Sequence, residues 1–236
     1  MALQEVAFYV VDGAVHDQPL ELGRLTKREV RYGAVHAYAL VEPASGQAIG
    51  TATWGNALLT REPVREGFAI GLPVGGDDDL VEPATSGRAL AGIRFADAPY
   101  GTREPRCAVG GTVEVGDDRV AVIATHLAYA GGGQRADQAQ ALLEMADARR
   151  PPVVVLGDLN APIEAPELRD LAAGFVDAFE AVGIAPGDPT RQSCGQQAID
   201  HILVRGLTVE DCRVMTEAGD ASDHLPVVAT LRPEVG

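Results

Sequence analysis

The sequence predicts a single α/β domain, and three stretches predict it. Val153-Val154-Val155-Leu156 is an apolar run dominated by β-branched residues, the mark of a strand buried on both faces. Val120-Ala121-Val122-Ile123-Ala124 is a second such run. Between them, residues 134–149 place Ala139, Leu142, Leu143 and Ala146 at helical spacing on one apolar face. Strand, helix and strand in succession form the pattern of an α/β layer. The chain has 236 residues and 46% hydrophobic content, enough for one large domain and its core.

Taken in order, Met1-Ala2-Leu3-Gln4-Glu5-Val6 reads as the end of a strand with nothing before it to form a turn or a partner. Glu5, taken alone, is favoured as an unremarkable surface glutamate over a functional one. Residues 31–41, rich in Tyr, Val and Ala, read as a strand. Residues 55–61 read as another, ended by Pro63, with 68–72 as its expected neighbour. Residues 75–87 hold Asp77-Asp78-Asp79 among Gly and Pro. Adjacent side chains of an extended chain point apart, so a solvated loop is favoured there over a metal site. Residues 87–95, 111–115 and 119–127 read as strands, the last two joined by a hairpin-type connection, Gly116-Asp117-Asp118. Flexible Gly131-Gly132-Gly133 precedes the helix, which carries Arg135 and Gln138 near its start, and Pro151-Pro152 stops it. Residues 167–173 predict a short helix. Residues 197–204, 208–216 and 227–231 predict the last strands. No repeat, low-complexity tract or linker divides the chain, so one domain over residues 1–236 is expected.

Several strands end in polar groups. After Gly157, Asp158 and Asn160 stand at i and i+2 and project from the same side of the extended chain. Ligands collect beyond the carboxyl ends of strands in open α/β sheets, although a capped turn accounts for Asp and Asn equally well. Thr125-His126 ends the strand before. A lone His at a strand end is more often structural than catalytic. Asp200 interrupts an apolar run, and a buried carboxylate is costly without a partner. Asp223-His224 precedes the final strand.

No apolar run approaches the roughly 20 residues that cross a bilayer, so a soluble protein without stable membrane association is expected. Residues 1–11 lack the basic start of a signal peptide. Cys107, Cys194 and Cys212 lie far apart without CxxC spacing, which points to reduced thiols in a cytoplasm rather than to zinc or disulfides.

Together and in this order, the motifs Leu3-Gln4-Glu5-Val6, Gly55-Asn56-Ala57-Leu58-Leu59, Thr125-His126-Leu127, Gly157-Asp158-Leu159-Asn160, Ile199-Asp200-His201-Ile202 and Ser222-Asp223-His224-Leu225-Pro226 resemble those of the endonuclease/exonuclease/phosphatase family of metal-dependent phosphoesterases. The resemblance implies a four-layer α/β/β/α sandwich, two mixed sheets face to face with helices outside. It implies hydrolysis of a phosphoester, foremost a phosphodiester, of a small molecule or a nucleic acid. The implied cofactor is Mg2+, with Mn2+ as the alternative. Such hydrolysis needs an activated water, neutralised phosphoryl oxygens and a protonated leaving group. By resemblance, Glu5 and Asp223 are the metal carboxylates. Asp158 orients or deprotonates water, and Asn160 holds a phosphoryl oxygen or the nucleophile. His224 contacts the phosphate, with Asp200 fixing its tautomer. His126 adds a second imidazole, supported by Asn56.

The pattern breaks at the start. Family members open with a strand carrying a Tyr-Asn-Ile-like motif and then a helix, before the strand that bears the glutamate. Here Met1 falls inside that third element, so the expectation is an N-terminally truncated sandwich lacking one inner strand and one polar ligand. Two explanations stand: a longer natural protein, or a truncated member that is inactive or paired, acting as a binding or scaffold domain. The net charge of −15, from 34 acids against 19 bases, repels polyanions and leans toward a small phosphoester over long DNA, although a bound cation inverts the field inside a cleft.

Overall fold

The computed structural model describes residues 1–42, 44–74, 94–95, 105–129, 131–150, 152–219 and 221–234. In chain order the elements are β1 (Ala2–Val11), β2 (Ala14–Asp17), α1 (Gln18–Thr26), β3 (Glu29–Val41), β4 (Ala48–Thr60), β5 (Val64–Gly71) and β6 (Arg94–Phe95). They continue as β7 (Cys107–Val115), β8 (Asp118–His126), α2 (Gly132–Asp147), β9 (Val153–Asp158), α3 (Arg169–Ala173), β10 (Val176–Asp177), α4 (Ala178–Ala181), β11 (Asp200–Arg205), β12 (Leu207–Val214) and β13 (Val227–Pro233). The triple aspartate 77–79 lies outside the described residues, as does the strand expected over 87–95 except for β6.

Two sheets form the centre. One has the order β2-β1-β4-β3-β6 and is antiparallel at each described pairing. The other, β10-β11-β9-β8-β7-β5, is mixed, because β8 and β9 run parallel. They pack face to face through Leu58, Val64, Cys107, Val109 and Ala124. A Cβ at Gly33 would sit 2.5 Å from Val109 Cγ2, so glycine is what lets the sheets approach there. Outside the first sheet, α1 lays Leu22 against Val6, Ala57 and Leu59. Outside the second, α2 and α3 cover β8 and β9 with Leu142, Ala146 and Leu171. This is the expected layering of helix, sheet, sheet and helix.

The run 153–156 is buried on both faces, as its composition predicts. Val153 and Val155 face the helices, whereas Val154 faces a separate cluster with α4 and the β12–β13 hairpin. Leu142 and Leu168 are fully buried, and each such side chain contributes about 1.5–3 kcal/mol. The β7–β8 hairpin closes through Gly116, at φ 63°, with Val115 opposite Asp118.

Two sequence expectations are corrected. The first stretch does not end a strand; it begins the ten-residue β1, which pairs with β4 on one side and with β2 over Phe8–Val11 on the other. The missed partner, β2, and the missed helix, α1, follow at once. Asp17 caps α1 by accepting from Leu20 N at 2.9 Å, with Pro19 in the first turn. The second correction concerns 68–72, which belong to β5 and pair with β7 in the opposite sheet, not with β4. Thr60 bonds the carbonyl of Glu62 at 2.7 Å and Pro63 lacks an N–H, so the ladder ends and the chain crosses between sheets.

Candidate active site

The central ladder places three of the expected side chains on one rung. Parallel pairing sets His126 opposite Asp158, and antiparallel pairing sets Asp200 opposite the same Asp158. Directly opposed residues share a face, with Cβ atoms about 4.5–5.5 Å apart. The close packing of β8 and β9 at this end depends on Gly157. Its φ is 144°, and a Cβ there would lie 2.0 Å from the carbonyl oxygen of Thr125.

Asp158 is 5% exposed. Its Oδ1 accepts the amide of Asn160 at 2.7 Å, and its Oδ2 lies 3.3 Å from His126 Nε2 and 4.0 Å from His224 Nε2. Burial alone would push this carboxyl up. The hydrogen bond from His126, the Asn160 amide and the charge of His224 outweigh it and hold the carboxyl below its ordinary range. Arg106 Nη1 stands 3.3 Å from His126 Nδ1. A guanidinium only donates, so this contact leaves Nε2 as the hydrogen-bearing atom that faces Asp158.

His224 reaches the rung from the segment before β13. Its Nδ1 is 2.7 Å from Asp200 Oδ2. That hydrogen bond is the main cause that raises its pKa to about 9. Burial opposes it, and the charges of Asp200, Asp158 and Asp223 add to it. In the metal-free protein the folded pKa therefore lies above the ordinary value of 6.5. Its stabilising contribution is present in full below 6.5 and lost as pH rises through about 9. An NMR titration should show His224 still protonated at pH 7, and Asp200→Asn should lower its midpoint.

Asn160 adopts a left-handed conformation, φ 52°, and spends Nδ2 on the carbonyl of Leu127 at 2.9 Å. It thereby ties the end of β9 to the segment after His126. Asn56 is 2% exposed and donates to the carbonyl of Cys107 at 2.8 Å. Thr125 Oγ1 donates to that carbonyl at 3.4 Å, so Asn56 and the residue before His126 meet at one β7 carbonyl. Arg135 and Gln138 secure the loop after His126. Arg135 Nη1 donates to the carbonyls of Ala128 and Tyr129, each at 2.9 Å, and Gln138 Oε1 accepts the amide of Ala128 at 2.8 Å.

Asp158, Asp200 and His224 offer ligand atoms within 4.8 Å of one another and form a group able to hold a metal ion. The donor set fits a divalent cation. Its two carboxylates are the oxygen donors that hard divalent cations prefer. Glu5 and Asp223, the expected metal carboxylates, are not members of this cluster, and both are exposed. Glu5 has φ 57° at the bulge between Leu3 and Val6. Its neighbour Gln4 reaches the carbonyl of Thr125 at 3.4 Å, so β1 passes beside the ends of β8 and β9. The charge of Asp223 is felt at His224 and at Cys194, whose thiol is pushed up by burial and then by Asp223, Asp200 and Asp158. Sequence reasoning missed Arg106 and Ser193. Neither sits in a motif, and only tertiary contact reveals them.

The profile of the Endonuclease/Exonuclease/phosphatase family matches residues 1–224. The chain belongs to the endonuclease/exonuclease/phosphatase family. No curated protein matches it. Among solved structures it is similar to the endonuclease/exonuclease/phosphatase from Beutenbergia cavernae DSM 12333, at 24% identity and TM-score 0.67, over 98% of this chain and 62% of that one. It therefore spans less than two thirds of that relative's length. The human Nocturnin catalytic domain with bound sulfate anion matches at 17% identity and TM-score 0.56, over 92% and 76% of the two chains. D. rerio TDP2 complexed with single strand DNA product matches at 15% and 0.55, over 98% and 84%. These likenesses show the endonuclease/exonuclease/phosphatase fold. Among the described residues, no helix is long and apolar enough to cross a membrane.

Proposed function

We propose that the chain is a magnesium-dependent phosphoesterase whose substrate is a phosphodiester. The observation that carries this reading is the shared rung of His126, Asp158 and Asp200, with His224 drawn to it by Asp200. The Nε2 of a protonated His224 is a charge-assisted donor for a phosphoryl oxygen or a leaving oxygen. His126 is a second imidazole donor. The ionised Asp158 accepts a hydrogen bond from the attacking water and orients it. Asp200 keeps the His224 ring aimed, and Asn160 keeps the ends of β8 and β9 together. Asp158 and Asp200 would hold a divalent cation, with Glu5 and Asp223 as the further carboxylates the family resemblance implies, and the ion would supply neutralisation of the phosphoryl charge and a more acidic water.

The acidic chain supports a small phosphodiester over a long polyanion. The human Nocturnin catalytic domain with its bound sulfate anion and D. rerio TDP2 with its single strand DNA product both carry ligands with a tetrahedral oxyanion, the group a phosphoesterase would bind. The free state of Cys107, Cys194 and Cys212 supports a reducing, cytoplasmic setting. The test is hydrolysis of bis(p-nitrophenyl) phosphate by the purified chain and by a form extended at its N-terminus. Activity is expected with Mg2+, lost with EDTA and restored by excess Mg2+. Turnover that is indifferent to EDTA would reject the metal requirement.

A further inference from the structure

We propose that Ser193 is a positioning residue that fixes the Asp200 carboxylate and, through it, the aim of His224. Ser193 is 1% exposed and follows the 3-10 turn Pro189–Arg191. Its hydroxyl donates to Asp200 Oδ2 at 2.6 Å, the same oxygen that receives His224 Nδ1 at 2.7 Å. Its carbonyl accepts the amide of Leu225, the residue after His224, at 2.7 Å. Its own amide donates to the carbonyl of Gln197 at 3.0 Å, which closes the loop that leads back to Asp200. One residue therefore grips the carboxylate that aims the imidazole and the backbone that carries it.

The need for such a grip follows from the architecture. His126, Asp158 and Asp200 are held by strand pairing. His224 is not, because it lies in the bend before β13 and is only partly buried. A carboxylate turns readily about its terminal torsion and can present either oxygen. With Ser193 on Oδ2, the carboxylate has one preferred orientation, and the ring that depends on it has one as well. Ser193 is itself anchored, since Arg191, two residues before it, ion-pairs with buried Asp177 at 3.0 Å.

The inference rests on reading His224 as a working group of a phosphoesterase, but its test does not require turnover. In the 15N-labelled, metal-free protein, the His224 Nδ1 hydrogen should exchange slowly with water. Ser193→Ala should speed that exchange by about tenfold, the factor that corresponds to one hydrogen bond. Ser193→Cys keeps the volume and weakens the donor, and it should also speed exchange; it serves where the alanine variant does not fold. Unchanged exchange in a folded variant would overturn the proposal. With turnover as a second readout, Ser193→Ala should lower kcat and leave KM in place. In an Asp200→Asn background it should have no further effect. An equal loss in both backgrounds would also overturn it. If the wild-type chain hydrolyses no phosphodiester, the functional reading fails while the exchange comparison still decides the role of Ser193.

Discussion

Asp158→Asn is expected to lower kcat on a phosphodiester by about 10²–10⁴-fold, the range for a group that handles a proton in the transition state. The substitution keeps the shape of a side chain that is 5% exposed and keeps an oxygen for the Asn160 amide. What it removes is the charge on Oδ2, toward which the Nε2 atoms of both His126 and His224 turn. An amide nitrogen in that place meets other donors, so the water loses its acceptor and His126 loses the carboxylate oxygen it faces at 3.3 Å. KM should change less than kcat, because the loss falls on the transition state rather than on the phosphoester as it binds. The measurement is an initial-rate series at saturating Mg2+, with circular dichroism to show that the fold is kept. A variant that retains the parent rate would remove Asp158 from the mechanism and leave it a turn residue.

Arg191→Leu is expected to destabilise the fold by about 3–5 kcal/mol, because it strands a buried charge. Arg191 is 1% exposed, Asp177 5% and His201 2%. Arg191 Nη2 donates to Asp177 Oδ1 at 3.0 Å, and His201 Nδ1 lies 3.4 Å from Asp177 Oδ2. Asp177 also caps α4 by accepting the amides of Phe179 and Glu180 at 3.0 and 3.1 Å. Without the guanidinium, an ionised carboxylate remains in the core with one imidazole beside it. Urea denaturation reads the loss as a lower midpoint at unchanged slope. A change below about 1 kcal/mol would mark the pair as no better than a surface ion pair. The double substitution Asp177→Asn with Arg191→Leu should recover part of the loss, since no uncompensated charge is left.

The same cluster sets an acid limit. Burial would push the Asp177 carboxyl up, but the His201 ring beside it, the charge of Arg191 and the Glu180 amide hold it below its ordinary range. The folded value thus lies below the unfolded one. Its contribution to stability is present above the unfolded pKa of about 3.9 and is lost as pH falls through the depressed folded value.

Much of the centre was legible because one physical signal, an apolar run, marks a strand covered on both sides. Residues 119–127 and 153–156 became β8 and β9 on that signal, and the helix between them became α2. The polar tips His126 and Asp158 stand out against those runs. Asp200 was legible as an interruption, and its costly position is relieved by Ser193 and His224. His201, next to it, faces the other way as strand alternation requires: its Nε2 donates to the Ala161 carbonyl at 2.9 Å and its Nδ1 lies 3.4 Å from Asp177, away from the site.

The rest was hidden for identifiable reasons. No local pattern says that the chain changes sheets after Thr60, because each strand looks the same whichever neighbour it pairs with. The helix α1 has a weak apolar face, with Leu20 at 58% and Leu25 at 74% exposure, so only the Asp17 cap and Pro19 announce it. Arg191 looks like a surface charge in a polar loop, and its partner Asp177 is 14 residues away. Ser193 is an ordinary serine until Asp200 is placed beside it.

The alignment of His126, Asp158 and Asp200 across neighbouring strands ties the chemistry to the threading of β9. Side chains alternate with period two, so a single residue inserted before Asp158 within β9 would turn its carboxyl toward α2 and bring an apolar or absent side chain into its place. Lengthening the connections on either side would leave the alternation untouched. Tolerance to insertion should therefore fall abruptly at Val153 and return only beyond Asp158, a boundary set by parity rather than by distance from the reacting atoms.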